Sequence, residues 1–350
     1  MTNNQQSVSS SGTGVPEEDT ATVPAKGRGR RSLGAALGRS QLSVVAVLAV
    51  AVLLAYLLAD SPVIATQAIV TGLLIGGVYG LVAMGLTLIF GVLDIVNFAH
   101  GAFLAVALFI TYWLVSSMGL HPYVTILVTV PVMFAVGWAV QRGVLSGAMG
   151  KPLENQLLIT LGISLVIENG LLLLFGANPR SVPLPGDRTI GILGAVADLS
   201  RILAFVGALV LAGVLFLVLQ RTRLGTAIRA LFAATARMAV PSRVGIDTRR
   251  IYALTFAIGT ACAGAAGTLV SPLVTVEPST GALFNIVAFV VVVIGGMGNV
   301  VGALVGGFVI GLAEQLGTIF LPGQSPLLSV FIVFVLVLFF RPQGLFGRTS

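Results

Sequence analysis

The chain has 350 residues, of which 57% are hydrophobic and only 9% charged, against about 25% charged in an ordinary soluble domain. This excludes a soluble globule. The formal charge of +7 lies in short loops between apolar runs, which reads as membrane topology signalling and not as a nucleic-acid-binding face. Cys262 is the only cysteine, so disulfides and cysteine-based metal sites are excluded, and its apolar neighbours mark it as a packing residue.

Residues 1–40 are rich in Ser, Thr, Gly, Asn and Gln, with Glu17, Glu18 and Asp19 followed by Lys26, Arg28, Arg30, Arg31 and Arg39. Such a segment has too little apolar surface to build a core and is expected to be a disordered cytoplasmic tail. The run that follows is long enough to span, so it reads as a first membrane helix and not as a cleaved signal.

Apolar runs then recur at 41–59, 64–90, 101–119, 122–140, 156–176, 202–220, 251–271, 284–296, 301–321 and 326–340. A hydrocarbon core about 30 Å thick needs roughly 20 apolar residues per helical crossing, and the runs far exceed the roughly 10-residue segments of a membrane barrel. The expected fold is therefore an all-α polytopic membrane protein of about ten crossings. The short run 284–296 and its glycine-rich flank allow eight crossings with re-entrant hairpins, with the same parity. Placing the tail inside puts Arg142, Lys151, the loop 221–250, Arg341 and Arg348 on the cytoplasmic side, with both termini, and leaves weakly charged stretches opposite.

Several polar groups interrupt this apolar background. Asp94, Asn97 and His100 are spaced by three in GLTLIFGVLDIVNFAHG, which places them on one face if the segment is helical. Polar groups at membrane depth are costly and call for a functional hypothesis, here a substrate path or gate; the alternative is a helix break that these groups cap. Glu168, with Asn169, and Glu314 lie within later apolar runs, either pairing with neighbouring helices or lining a translocation cavity. Asn299 follows Gly295, Gly296 and Gly298 in a second break, and Gly302, Gly306 and Gly307 supply the small-residue spacing that lets helices approach closely. The loop 221–250 carries seven arginines and an apolar periodicity at Ile228, Leu231, Phe232 and Met238, as expected of an amphipathic element that presses on a soluble partner.

The stretches GLTLIFGVLDIVNFAHG, GGMGNVVGALVGGFVIGLAE and RPQGLFGR, in this order and spacing, resemble the Liv-type permease subunits of branched-chain amino acid ABC importers over roughly residues 60–348. Urea, short-chain amide and some sugar permeases are similar. The resemblance implies a transmembrane permease domain over 41–348 in the inner membrane, resting in membrane lipid and paired with a second related permease chain or with itself. It further implies two cytoplasmic ATPase subunits and an extracytoplasmic substrate-binding protein as partners, no nucleic acid, no metal and no cofactor on this chain, and ATP used by the partners. Arg229, Ala230, Gly245 and Ile246 match the family's ATPase-coupling segment. The segment between Arg229 and Gly245 is longer than usual by about three residues and has Ala233, Ala234 and Thr235 where the family usually has an Asp or Asn; Ala102 and Asp94 also depart from the pattern.

Gly150-Lys151 is followed by Pro152 and lacks the upstream glycine of a phosphate-binding loop, so ATP hydrolysis is expected on other chains and the protein is not expected to be an enzyme. The mechanism expected is alternating access, with the loop 221–250 transmitting motion to the helices that carry Asn97, His100 and Gly295–Asn299. The competing classes are an ion-coupled secondary transporter using Asp94, His100, Glu168 and Glu314, a passive channel, and an intramembrane hydrolase built on Ser164 and His100, for which Gly162-Ile-Ser164-Leu lacks the second glycine of a nucleophile turn.

Overall fold

The computed structural model describes residues 61–346 apart from 187, 193, 236–246, 322 and 324, together with a few positions between 50 and 59. The tail 1–40, most of the run 41–59, and Gly245, Ile246 and Arg348 lie outside the described residues.

Each of the nine apolar runs from 64 onward forms a helix. They are α1 (Pro62–Leu93), α2 (His100–Met118), α3 (Ile126–Gly143), α4 (Leu153–Phe175), α5 (Leu199–Arg221), α7 (Thr248–Val270), α8 (Thr280–Gly295), α9 (Val300–Phe320) and α10 (Pro326–Phe340), while α6 (Arg223–Thr235) lies in the basic loop. Among the described residues, seven helices are long and apolar enough to cross a membrane; α8 and α10, with 16 and 15 residues, are shorter. At 1.5 Å per residue α8 reaches about 24 Å, less than the hydrocarbon thickness, whereas the 32-residue α1 reaches about 48 Å. The chain is an all-α polytopic membrane protein.

The helices divide into a buried centre and an outer layer. In α1 and α7 about four-fifths of the residues of the apolar stretch are buried, against about a tenth in α4. The centre is close-packed because it is made of small residues. A Cβ placed on Gly72 would lie 2.8 Å from the carbonyl oxygen of Gly311, and one on Gly76 would lie 2.9 Å from that of Gly307, so α1 and α9 meet backbone to backbone. Around this pair, α7 packs on α1, α2 and α3, and α8 packs on α1, α2 and α9. The outer helices carry bare apolar surface, with Leu173 of α4 87% exposed, as expected of a face whose solvent is lipid.

One element is not anticipated by the apolar pattern. Thr189–Ile192 (β1) and Ala195–Asp198 (β2) form an antiparallel hairpin with Thr189 opposite Asp198. Gln67 of α1 completes its edge, donating from Nε2 to Val196 O at 2.7 Å and accepting from Val196 N–H at 2.8 Å. The preceding loop is fastened by Arg180, whose backbone pairs with Val276 and whose guanidinium lies over Tyr112, 4.9 Å from the ring centroid.

Candidate functional site

The first polar cluster is not a helix face. α1 ends at Leu93, Asp94 turns the chain in the left-handed region (φ 55°, ψ 36°), and residues 95–99 are non-helical before α2 starts at His100. Asp is among the few non-glycine types that adopt this conformation readily. Asp94 is exposed, whereas Asn97 and His100 are fully buried, so the spacing of three does not gather the trio. His100 Nε2 lies 3.0 Å from Val82 O and, since a carbonyl only accepts, donates to it. Val82 is eleven residues before the end of α1, about 16 Å back along the helix axis, a distance within the reach of the link 94–99. Residues 94–99 therefore form a strap that folds back along α1.

Non-helical backbone at membrane depth survives only where its polar groups are satisfied by protein or line a cavity. Most partners of the strap come from neighbouring elements. Thr160 Oγ1 of α4 accepts from Phe98 N–H at 3.3 Å and lies 3.2 Å from Val96 O, with Leu157 O at 3.0 Å as the other acceptor for its one proton. Asn97 Oδ1 accepts from Ala99 N–H at 3.1 Å, and Asn285 Oδ1 of α8 accepts from Gly101 N–H at 3.1 Å. Gly101 and Gly281 touch so closely that a side chain on either would strike the other's carbonyl. Asn97 Nδ2 and His100 Nδ1 are buried without a hydrogen-bond partner among the described residues.

Beside the strap lies a cavity of about 400 Å³. Phe98 and Ala102 line it from the strap and α2, Ser164 and Glu168 from α4, Asn285 and Phe289 from α8, and two phenylalanines from α10. Phe98 and Phe289 stack there with ring planes 5° apart and centroids 6.0 Å apart. The structure thus brings Glu168 and the strap to one place. Asn285 and Thr160 were missed by sequence reasoning; Asn285 is the lone amide in an apolar run, which is the signal that marks it, whereas a threonine in a membrane helix carries none.

The other candidates lie elsewhere. Asn299 caps α9, accepting from Gly302 N–H at 2.9 Å, and donates from Nδ2 to Phe346 O at 3.3 Å. Leu345 N–H donates to Ile294 O at 2.7 Å, so the RPQGLF segment clasps the α8–α9 turn. Gly302 abuts Gly295, Gly306 lies against Val291 O, and Gly307 abuts Gly80 of α1. Glu314 of α9 interacts with the Tyr79 side chain of α1, which stacks edge-on against Phe284 of α8 at 6.0 Å, and its Oε2 is buried without a partner among the described residues. Arg229 and Ala230 lie on α6, where Ile228 and Leu231 are buried and Arg229 is exposed. A smaller cavity of about 190 Å³ separates this helix from the end of α1 and the α8–α9 turn, lined by Thr87, Gly91, Gln220, Arg229 and Gly298 among others. His100 gives its one hydrogen bond to a carbonyl and not to Ser164, so no nucleophile–base pair forms between them.

A family profile described as "branched-chain amino acid transport system / permease component" matches residues 68–340. The chain belongs to that family. It is 31% identical over 296 residues to the high-affinity branched-chain amino acid transport system permease protein BraD of Pseudomonas aeruginosa, covering 81% of this chain and 95% of that one. It is 29% identical over 304 residues to the corresponding permease protein LivH of Escherichia coli K12, again covering 81% and 95%. A probable LivH of Methanocaldococcus jannaschii is 29% identical over 291 residues, covering 76% of this chain and 88% of the archaeal one. No solved structure gives a significant match. The family and the apolar helices make this permease a multi-pass protein of the inner membrane.

Proposed function

We propose that this chain is the membrane-spanning subunit of an ABC importer that carries branched-chain aliphatic amino acids inward, with ATP hydrolysed by partner chains and no enzymatic activity or cofactor of its own. The observation that carries this reading is the likeness to BraD and LivH over four-fifths of the chain. The partners it requires are two cytoplasmic ATPase subunits, a second permease chain and a binding protein that delivers cargo. A cavity walled by aliphatic and aromatic groups suits such cargo, because capture affinity resides in the binding protein and the membrane path needs only to hold and release.

In this reading α6 is the coupling element, on the cytoplasmic side with the other basic loops. Its buried edge reaches α1, α5 and α7, while the cavity lined by Arg229 and Gly298 separates it from the α8–α9 turn. A push on α6 is thereby delivered to α1, whose end leads into the strap. Replacing Arg229 by Glu is expected to leave the complex assembled and hydrolysing ATP while uptake into reconstituted vesicles falls. Equal uptake per ATP in wild type and variant would remove α6 from the coupling path.

A further inference from the structure

Resting on that functional reading, we propose that the cavity between α4 and α8 is the permease's transient cargo site, where Glu168 takes the ammonium group and Asn285 the carboxylate of an aliphatic α-amino acid. Its volume of about 400 Å³ falls within the ~300–1,000 Å³ typical of small-molecule sites. The cavity beside Arg229 has less than half that volume and opens on the coupling helix.

The polar atoms of the cavity are few and unsatisfied in a complementary way. Glu168 makes no hydrogen bond or ion pair with any described residue, although it stands midway along an apolar helix. A carboxylate so placed needs a cation, and no basic side chain lines the cavity. Asn285 is oriented by the fold: the Gly101 N–H can donate only to its oxygen, which fixes the amide and leaves the Nδ2 hydrogens as donors without a partner among the described residues. One acceptor anion and one free amide donor in the same apolar pocket match the two ends of a zwitterion, and Ser164 adds a hydroxyl between aliphatic neighbours. The stacked Phe98 and Phe289, with Phe331 and Phe334, supply the surface that a branched aliphatic side chain covers. A urea, an amide or a sugar has no ammonium group for Glu168, so the same pair selects against the other cargoes of similar permeases.

The site also adjoins the strap. Phe98 belongs to the strap and Asn285 holds the first turn of α2, so displacing either on cargo entry alters the seat of the strap.

The test uses the full complex with its ATPase subunits and binding protein in vesicles, supplied with a diazirine analogue of leucine that keeps both charged groups. Photolysis during turnover is expected to label peptides containing Ser164–Glu168 or Asn285–Phe289, and label confined to other segments would overturn the site. Glu168→Gln is expected to lower leucine uptake about tenfold or more, the worth of one charge-assisted hydrogen bond, with normal co-purification of the ATPase subunits. Asn285→Asp keeps the oxygen that Gly101 needs but replaces the donor by an anion, and is expected to lose uptake similarly. Should either variant fail to assemble, the labelling pattern of the wild type decides. If the wild-type complex shows no ATP-dependent leucine uptake, the functional reading fails; if it does and both variants transport normally, only the site fails.

Discussion

At the scale of single residues, Thr160 illustrates how side chains from other helices make the strap possible. Thr160→Val keeps the shape but removes the acceptor for Phe98 N–H, and a buried donor left unpaired costs about 1–3 kcal/mol. A lowered midpoint in a thermal melt of the detergent-solubilised complex is the expected outcome; an unchanged midpoint would mean that Phe98 finds another partner. Glu314 is a different case, because its Oε2 is already buried without a partner among the described residues. Glu314→Gln keeps the shape and removes only the acid, so it is expected to leave ATP-driven uptake intact, whereas an ion-coupled transporter relying on this acid would lose transport. Asp94, Asn97 and His100 were legible as special from their polarity alone. Their arrangement was not, because a spacing of three is equally compatible with a helix face and with a turn, and only the left-handed Asp94 and the bond from His100 to Val82 decide between them. Asn285 was visible in the same way, as an amide among valines and phenylalanines, but its partner Gly101 is 184 positions away, a distance that sequence pattern does not bridge.

At the scale of elements, the apolar runs from 64–90 to 326–340 each correspond to a helix, because a 20-residue hydrophobic stretch in lipid has no other way to satisfy its backbone. The hairpin escaped because its strands have four residues each, TIGI and AVAD, too few for alternation to register, and because its edge is closed by the side chain of Gln67. Glycine contacts hold the central helices, and they vary sharply in tightness. A methyl group at Gly307 would enter the backbone of Gly80, while one at Gly213 of α5 would meet no atom within 4 Å. Gly307→Ala is therefore expected to destabilise by about 1–3 kcal/mol through overpacking. Gly213→Ala is expected to be neutral or slightly stabilising, as alanine is the better helix former by roughly 0.5–1 kcal/mol. Paired thermal melts of the two variants check this, and equal midpoints would show that the α1–α9 contact yields to a methyl group without cost.

For the whole molecule, composition decides the solvent, the runs decide the number of helices, and the family decides the task. What none of them supplies is the tertiary arrangement. The helix break after α1, the cavity beside it and the packing of α6 on α1, α5 and α7 depend on contacts between segments far apart in sequence. Exposed apolar residues on α4, α5 and α10 leave a broad surface for lipid. As a member of its family, this chain moves an aliphatic amino acid at the expense of ATP hydrolysed by partner chains. The most direct test is leucine uptake into vesicles that hold the complete complex, with ATP inside, binding protein outside and an ionophore present to collapse ion gradients. The account predicts accumulation that requires both ATP and the binding protein and persists with the ionophore; uptake that is abolished by the ionophore while ATP remains high would contradict it.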